Sequence, residues 1–177
     1  RLHLGTHALQ LAHGRMDVRE LERMCAEMQA DPAHPQGVPL IVCATSGTTV
    51  LGAFDDVAAI AEVCRKYNLW LHVDASWGGA AAFLPHDAPE RSVLAGLENA
   101  HSITINPHKL LGVTHQCSFL LVHDKSVLIP PSHSDGGYLF HVPAEDALDM
   151  ATKTLGCGRR GDALKFYLVW LRYGTQG

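Results

Sequence analysis

The chain has 177 residues, 47% hydrophobic and 18% charged, with 14 Lys and Arg against 18 Asp and Glu for a formal net charge of -4. That is enough apolar material to bury a core, and the scattered basic residues form no stripe able to follow a phosphate backbone, so nucleic acid is not an expected partner. No apolar run approaches the roughly 20 residues that span a bilayer, and the first residues lack a charged-then-apolar leader, so the expectation is a soluble, cytoplasmic protein with no membrane partner.

Asp17 can cap a helix with Glu20 completing a capping box, and Leu21, Met24, Cys25 and Met28 then share one face, which predicts helix over Asp17–Ala30. Three prolines and a glycine in residues 31–39 break it before a short apolar run, Leu40–Ala44, that reads as a buried strand. A polar loop, Thr45–Thr49, follows. Asp55 or Asp56 starts a second helix in which Val57, Ile60, Ala61, Cys64 and Tyr67 recur at helical spacing until Asn68 ends it. Trp70–Val73 is the next strand. Strand, helix and strand in that order imply a crossover and a mostly parallel sheet with flanking helices, an α/β fold. Further on, the pattern predicts a helix near Glu90–Leu97, strands at Ser102–Ile105 and Cys117–Val122, and a last helix over Asp162–Tyr173. Residues 124–149, rich in Pro, Gly, His and Ser, read as a long loop and a candidate for function.

Three polar clusters follow predicted strands: TSGTT at Thr45–Thr49, HVDASWGG at His72–Gly79 and NPHK at Asn106–Lys109. In parallel α/β sheets, ligands collect at those strand ends. A lysine amine can form a Schiff base with an aldehyde, and pyridoxal 5'-phosphate (PLP) chemistry also needs a carboxylate to keep the pyridine nitrogen protonated. Lys109 and Asp74 suit those two roles, and Thr48, Thr49 and Asn106 offer polar groups for the phosphate end. Singly, each has an ordinary reading as a turn residue or a solvated side chain; their joint order is the signal.

HVDASWGG, INPHKLLG with QCS after it, GGYLF and CGRRGD stand in the order and spacing of the group II PLP-dependent amino-acid decarboxylases, and over nearly its whole length the chain resembles that family, especially its glutamate and cysteine sulfinate branches. The resemblance implies a fold-type I, transferase-like large domain and a homodimer. It makes Lys109 the Schiff-base lysine, pairs Asp74 with the pyridinium nitrogen, sets His108 beside the Schiff base, and brings Thr49 and Asn106 near the cofactor. Ser76 stands where the family usually packs an alanine against the ring. Tyr138, in Gly136–Phe140, matches a mobile-loop tyrosine that returns a proton to the substrate carbon after CO2 has left. The implied catalytic residues are therefore Lys109, Tyr138 and His108. The implied reaction converts an acidic L-amino acid, glutamate first and cysteine sulfinate or aspartate next, to its amine and CO2. Other fold-type I chemistry such as aminotransfer, or a truncated dimerising paralogue without catalysis, remain as alternative readings.

The chain opens on Arg1 without a methionine and stops at Gly177 directly after a helical pattern. With the resemblance, this makes residues 1–177 an expected part of the PLP-binding large domain, lacking an N-terminal region with a ring-stacking histidine and a C-terminal small domain, and inactive alone. Arg159 and Arg160 are candidates for holding a carboxylate or phosphate, or for surface ion pairs. His3 and His7 have the i,i+4 spacing of a helical metal pair but lack the intervening Glu and a third ligand, and the five cysteines form no CxxC pair, so no metal is expected.

Overall fold

The computed structural model describes residues 13–30, 40–128 and 160–174. Helix α1 (Val18–Ala30) begins at Asp17, whose Oδ1 accepts from the amides of Arg19 at 3.0 Å and Glu20 at 3.2 Å. Glu20 does not reach back to complete a capping box; its carboxylate pairs instead with the Arg23 guanidinium, 2.7 Å from Nε. Leu21 and Cys25 supply the buried stripe of the helix.

Strand β1 (Ile41–Thr45) lies one residue beyond the predicted span, and it leads to helix α2 (Val57–Tyr67) and strand β2 (Trp70–Asp74). The two neighbouring aspartates divide the work. Asp56 is the N-cap, accepting from the Ala59 amide at 3.0 Å, whereas Asp55 accepts from the amides of Met16 and Thr45, both at 2.7 Å. Asn68 closes α2 in the left-handed region (φ 54°, ψ 49°), as a polar residue with a short side chain can.

Strands β3 (Ser102–Ile105) and β4 (Phe119–Val122) complete a sheet ordered β1-β2-β3-β4. The first three are parallel and β4 runs antiparallel to β3, so the sheet is mixed and mostly parallel. Alternation sends Val42, Ala44, Leu71 and Val73 into a core with Ile60, Ala61 and Cys64 of α2 and Leu21 and Cys25 of α1. The other side chains of these strands, Cys43, His72 and Asp74 among them, stand on the opposite face.

Two further expectations change. The helix predicted near Glu90–Leu97 is a pair of 3-10 turns, Pro89–Leu94 and Leu97–Asn99, separated by Gly96 at φ 89°. A Cβ at Gly96 would lie 2.4 Å from the Ala58 nitrogen, so this turn is pressed onto the start of α2 and has no room to continue as a helix. The predicted strand Cys117–Val122 begins only at Phe119, because the backbone of Cys117 is committed to His108. Helix α3 (Asp162–Tyr173) matches its predicted span and packs Phe166 and Trp170 against Phe83, with Phe119 edge-on to Phe166. Among the described residues no helix is long and apolar enough to cross a membrane.

Candidate cofactor site

The three polar clusters meet at the carboxyl ends of β1, β2 and β3. The register pairs Thr45 with Asp74 and Asp74 with Thr104, so the three strands end level. Beyond them the TSGTT and HVDASWGG loops lie backbone against backbone: the Ser46 amide donates to the Asp74 carbonyl at 2.9 Å, and the Gly78 amide donates to the Ser46 carbonyl at 3.0 Å. Glycine is required on both sides. A Cβ at Gly47 would stand 2.7 Å from the Gly78 nitrogen, and one at Gly78 would stand 2.4 Å from the Ser46 oxygen.

Asp74 is exposed at the end of β2, with Oδ1 accepting from the Ser76 amide at 3.0 Å. Its charge is felt locally, since burial first and Asp74 second push the Cys43 thiol above its ordinary range. Ser76 is half-buried and is tied to the carboxylate through its backbone.

Lys109 follows β3 in a turn whose amide donates to the Asn106 carbonyl at 2.9 Å, on a fully buried Pro107. Its Nζ lies 5.0 Å from the centroid of the Trp77 ring, a cation–π contact that brings the NPHK turn onto the HVDASWGG loop. Trp77 is the residue that sequence reasoning missed as a site member. Its signal lay inside the motif, but only the folded geometry reveals that the lysine sits over the indole.

Three buried polar atoms here have no partner among the described residues: Asn106 Oδ1, Trp77 Nε1 and Ser46 Oγ. An unmet buried donor or acceptor costs about 1–3 kcal/mol, so such atoms mark where a ligand can supply the missing bond. An amine over an indole, an exposed carboxylate and polar atoms unmet among the described residues, all at adjacent strand ends, fit a PLP-like group, which needs a covalent anchor, an anion for its ring nitrogen and polar contacts.

The other predicted residues are less uniform. Thr49 is exposed on the loop, while the Thr48 hydroxyl accepts from the Ala53 amide at 2.9 Å and so braces its own turn. His108 is half-buried, with Nδ1 2.5 Å from the Cys117 carbonyl oxygen and 3.1 Å from the Cys117 nitrogen, and its ring rests on His115 with centroids 4.3 Å apart. The imidazole is thus clamped to the segment entering β4, with its tautomer deciding which Cys117 group it meets. Lys165, a competing amine, is engaged by Asp162 at 2.9 Å and by the Gln116 carbonyl. Arg160 is exposed. Tyr138, Arg159, His3 and His7 lie outside the described residues. Among the described residues no group of three or more His, Cys, Asp or Glu is placed to hold a metal ion.

Comparison with known proteins accords with this geometry. The chain is 44% identical over 183 residues to human cysteine sulfinic acid decarboxylase, covering 99% of this chain and 36% of that protein. It is 46% identical over 166 residues to L-aspartate decarboxylase dtxS4 of Metarhizium robertsii, covering 93% of this chain and 32% of that one. The chain therefore spans about a third of the length of these relatives. The crystal structure of mouse CSAD superposes with a TM-score of 0.78 at 44% identity, covering 94% of this chain and 33% of the mouse chain, which bears out the α/β, fold-type I expectation. The family model described as the pyridoxal-dependent decarboxylase conserved domain matches residues 2–177, and the chain belongs to that family.

Proposed function

We propose that the full-length protein is a PLP-dependent carboxy-lyase that converts an acidic L-amino acid, drawn from glutamate, cysteine sulfinate and aspartate, to its amine and CO2. The observation that carries this reading is the Lys109 amine poised over Trp77, one strand from the Asp74 carboxylate. The relatives' names, cysteine sulfinic acid decarboxylase and L-aspartate decarboxylase, support the acidic substrate.

When bound, PLP supplies an electron sink for the electrons left when CO2 departs. Lys109 would anchor the cofactor through its amine. Asp74 would keep the ring nitrogen protonated, with the Ser76 amide steadying the carboxylate. Asn106, whose buried Oδ1 lacks a partner among the described residues, and Thr49 would offer polar contacts to the cofactor, and the Ser76 side chain would face its ring. His108 holds the turn that carries Lys109 in place, and Tyr138 returns a proton to the substrate carbon. Residues 1–177 form part of a PLP-binding large domain in a cytoplasmic homodimer.

The test is to offer glutamate, cysteine sulfinate and aspartate to the purified full-length protein with PLP while measuring CO2, amine and keto acid. Borohydride reduction and peptide mapping should find the pyridoxyl group on Lys109. Keto acid without CO2 would replace the reading with aminotransfer, and a pyridoxyl group on Lys153 or Lys165 would overturn the anchor.

A further inference from the structure

The face of the sheet opposite the core carries a line of polar side chains that leads to Asp74. Parallel pairing sets His72 beside Ser102 and Asp74 beside Thr104, while Leu71, Val73 and Ile103 turn to the core. Along this line the Trp70 indole Nε1 donates to Ser102 Oγ at 2.9 Å. Ser102 Oγ is 2.8 Å from His72 Nδ1, and His72 Nε2 is 3.4 Å from Thr104 Oγ1. Ser102 is buried, so its hydroxyl depends on these two partners for its hydrogen bonds.

The donors and acceptors give the line a direction. An indole N–H can only donate, so it fills a lone pair of Ser102 and leaves the serine proton free for His72 Nδ1. Nδ1 then accepts, the ring proton sits on Nε2, and Nε2 donates to Thr104. The hydrogen-bonded line ends at Thr104, which keeps its own proton to offer; Asp74 is its register neighbour on the same face, and among the described residues its carboxylate accepts from the Ser76 amide.

We propose that His72 and Thr104 are positioning residues for Asp74, the end of a Trp70–Ser102–His72–Thr104 line that orients the carboxylate toward the cofactor's ring nitrogen. This rests on the proposed pairing of Asp74 with that nitrogen.

The experiment is a double-mutant cycle on the full-length protein, reading PLP affinity and the 15N shift of bound PLP labelled at the pyridine nitrogen. His72→Phe keeps a ring and removes both nitrogens; Thr104→Val keeps the shape and removes the hydroxyl. Each should weaken PLP on the order of tenfold, the scale of a hydrogen bond to a charged group, and move the 15N shift toward the unprotonated ring. His72→Gln, which restores a donor, should recover part of both. In Asp74→Asn, adding His72→Phe should change nothing further, because the line acts only through the carboxylate. Additive effects, or a 15N shift that ignores both single variants, would overturn the proposal. If His72→Phe fails to fold, Thr104→Val decides alone. If Asp74→Asn itself leaves PLP affinity and the 15N shift unchanged, it is the pairing of Asp74 that fails, whatever His72 does.

Discussion

Gly78→Ala tests the loop-on-loop contact that builds the site. The added methyl would sit 2.4 Å from the Ser46 carbonyl oxygen and 2.4 Å from Phe54 Cε1. The phenyl ring can swing away, but the Ser46 carbonyl cannot, because Ser46 is fully buried and its amide is bonded to the Asp74 carbonyl. The Gly78 amide must therefore withdraw from the Ser46 carbonyl, a hydrogen bond of 3.0 Å worth about 0.5–1.5 kcal/mol. Overpacking adds about 1–3 kcal/mol, so the variant should lose about 1.5–4.5 kcal/mol in urea unfolding of the full-length apoprotein. The same shift carries Trp77 away from Lys109, and a misfit of ~1.4 kcal/mol there would weaken PLP about tenfold in a spectroscopic titration. Gly52→Ala is the control. Its Cβ would meet nothing within 4 Å, so only the strain of its positive φ, about 1–2 kcal/mol, should register, with PLP affinity unchanged. A Gly78→Ala protein with the parent's urea midpoint and PLP affinity would refute the contact and the geometry built on it.

Trp77→Leu should weaken PLP capture by about 0.5–2 kcal/mol while Trp77→Phe keeps most of it; equal losses in the two would show that the ring face is irrelevant to Lys109. Tyr138→Phe should retain PLP and release CO2 while diverting product from amine to aldehyde and pyridoxamine phosphate; a single-turnover product analysis giving only amine at the parent rate would make the tyrosine a packing residue. Burial pushes the Cys64 thiol from its ordinary 9.0 up to about 11. The unfolded thiol ionises first, so its contribution to stability is intact below about pH 9 and is lost as pH rises toward 11. Urea midpoints measured across that range should fall, and Cys64→Ala should fall less steeply.

Much of the scaffold was legible because its elements bury one face each. Val57, Ile60, Ala61 and Cys64 announce α2 by spacing alone, and all four are buried. The Gly78–Phe83 3-10 helix was not legible, since GGAAAF has neither helical nor strand periodicity and its close fit, with a Cβ on Gly79 meeting Ile105 at 3.0 Å and Ala75 at 3.2 Å, comes from residues outside that stretch. Nor could spacing divide Asp55 from Asp56, because Asp55 finds its partners at Thr45 and Met16, away from its own helix. The direction of β4 was hidden for a similar reason: the chain between β3 and β4 is shaped by the clamp of His108 on Cys117, a contact that no local pattern signals. In the site, Asp74 and Lys109 stood out by chemistry and position. Trp77 and the His72 line did not, because aromatic and polar residues on a strand or loop gain meaning only from what faces them.

The Asp55 carboxylate also carries a consequence for the order of assembly. One of its oxygens reaches Thr45, ten residues back, and the other reaches Met16, thirty-nine residues back. Closing the shorter loop costs less chain entropy, so the corner between β1 and α2 should form first, leaving a charged latch ready for the segment ahead of α1. The strand end that supports the TSGTT loop would then be native-like before α1 arrives, and α1 would be the first element to detach under mild denaturant. Native-state hydrogen exchange should show the amides of α1 opening at a lower denaturant concentration than those of β1 and β2; opening together would mean that the latch and the corner form as one cooperative unit.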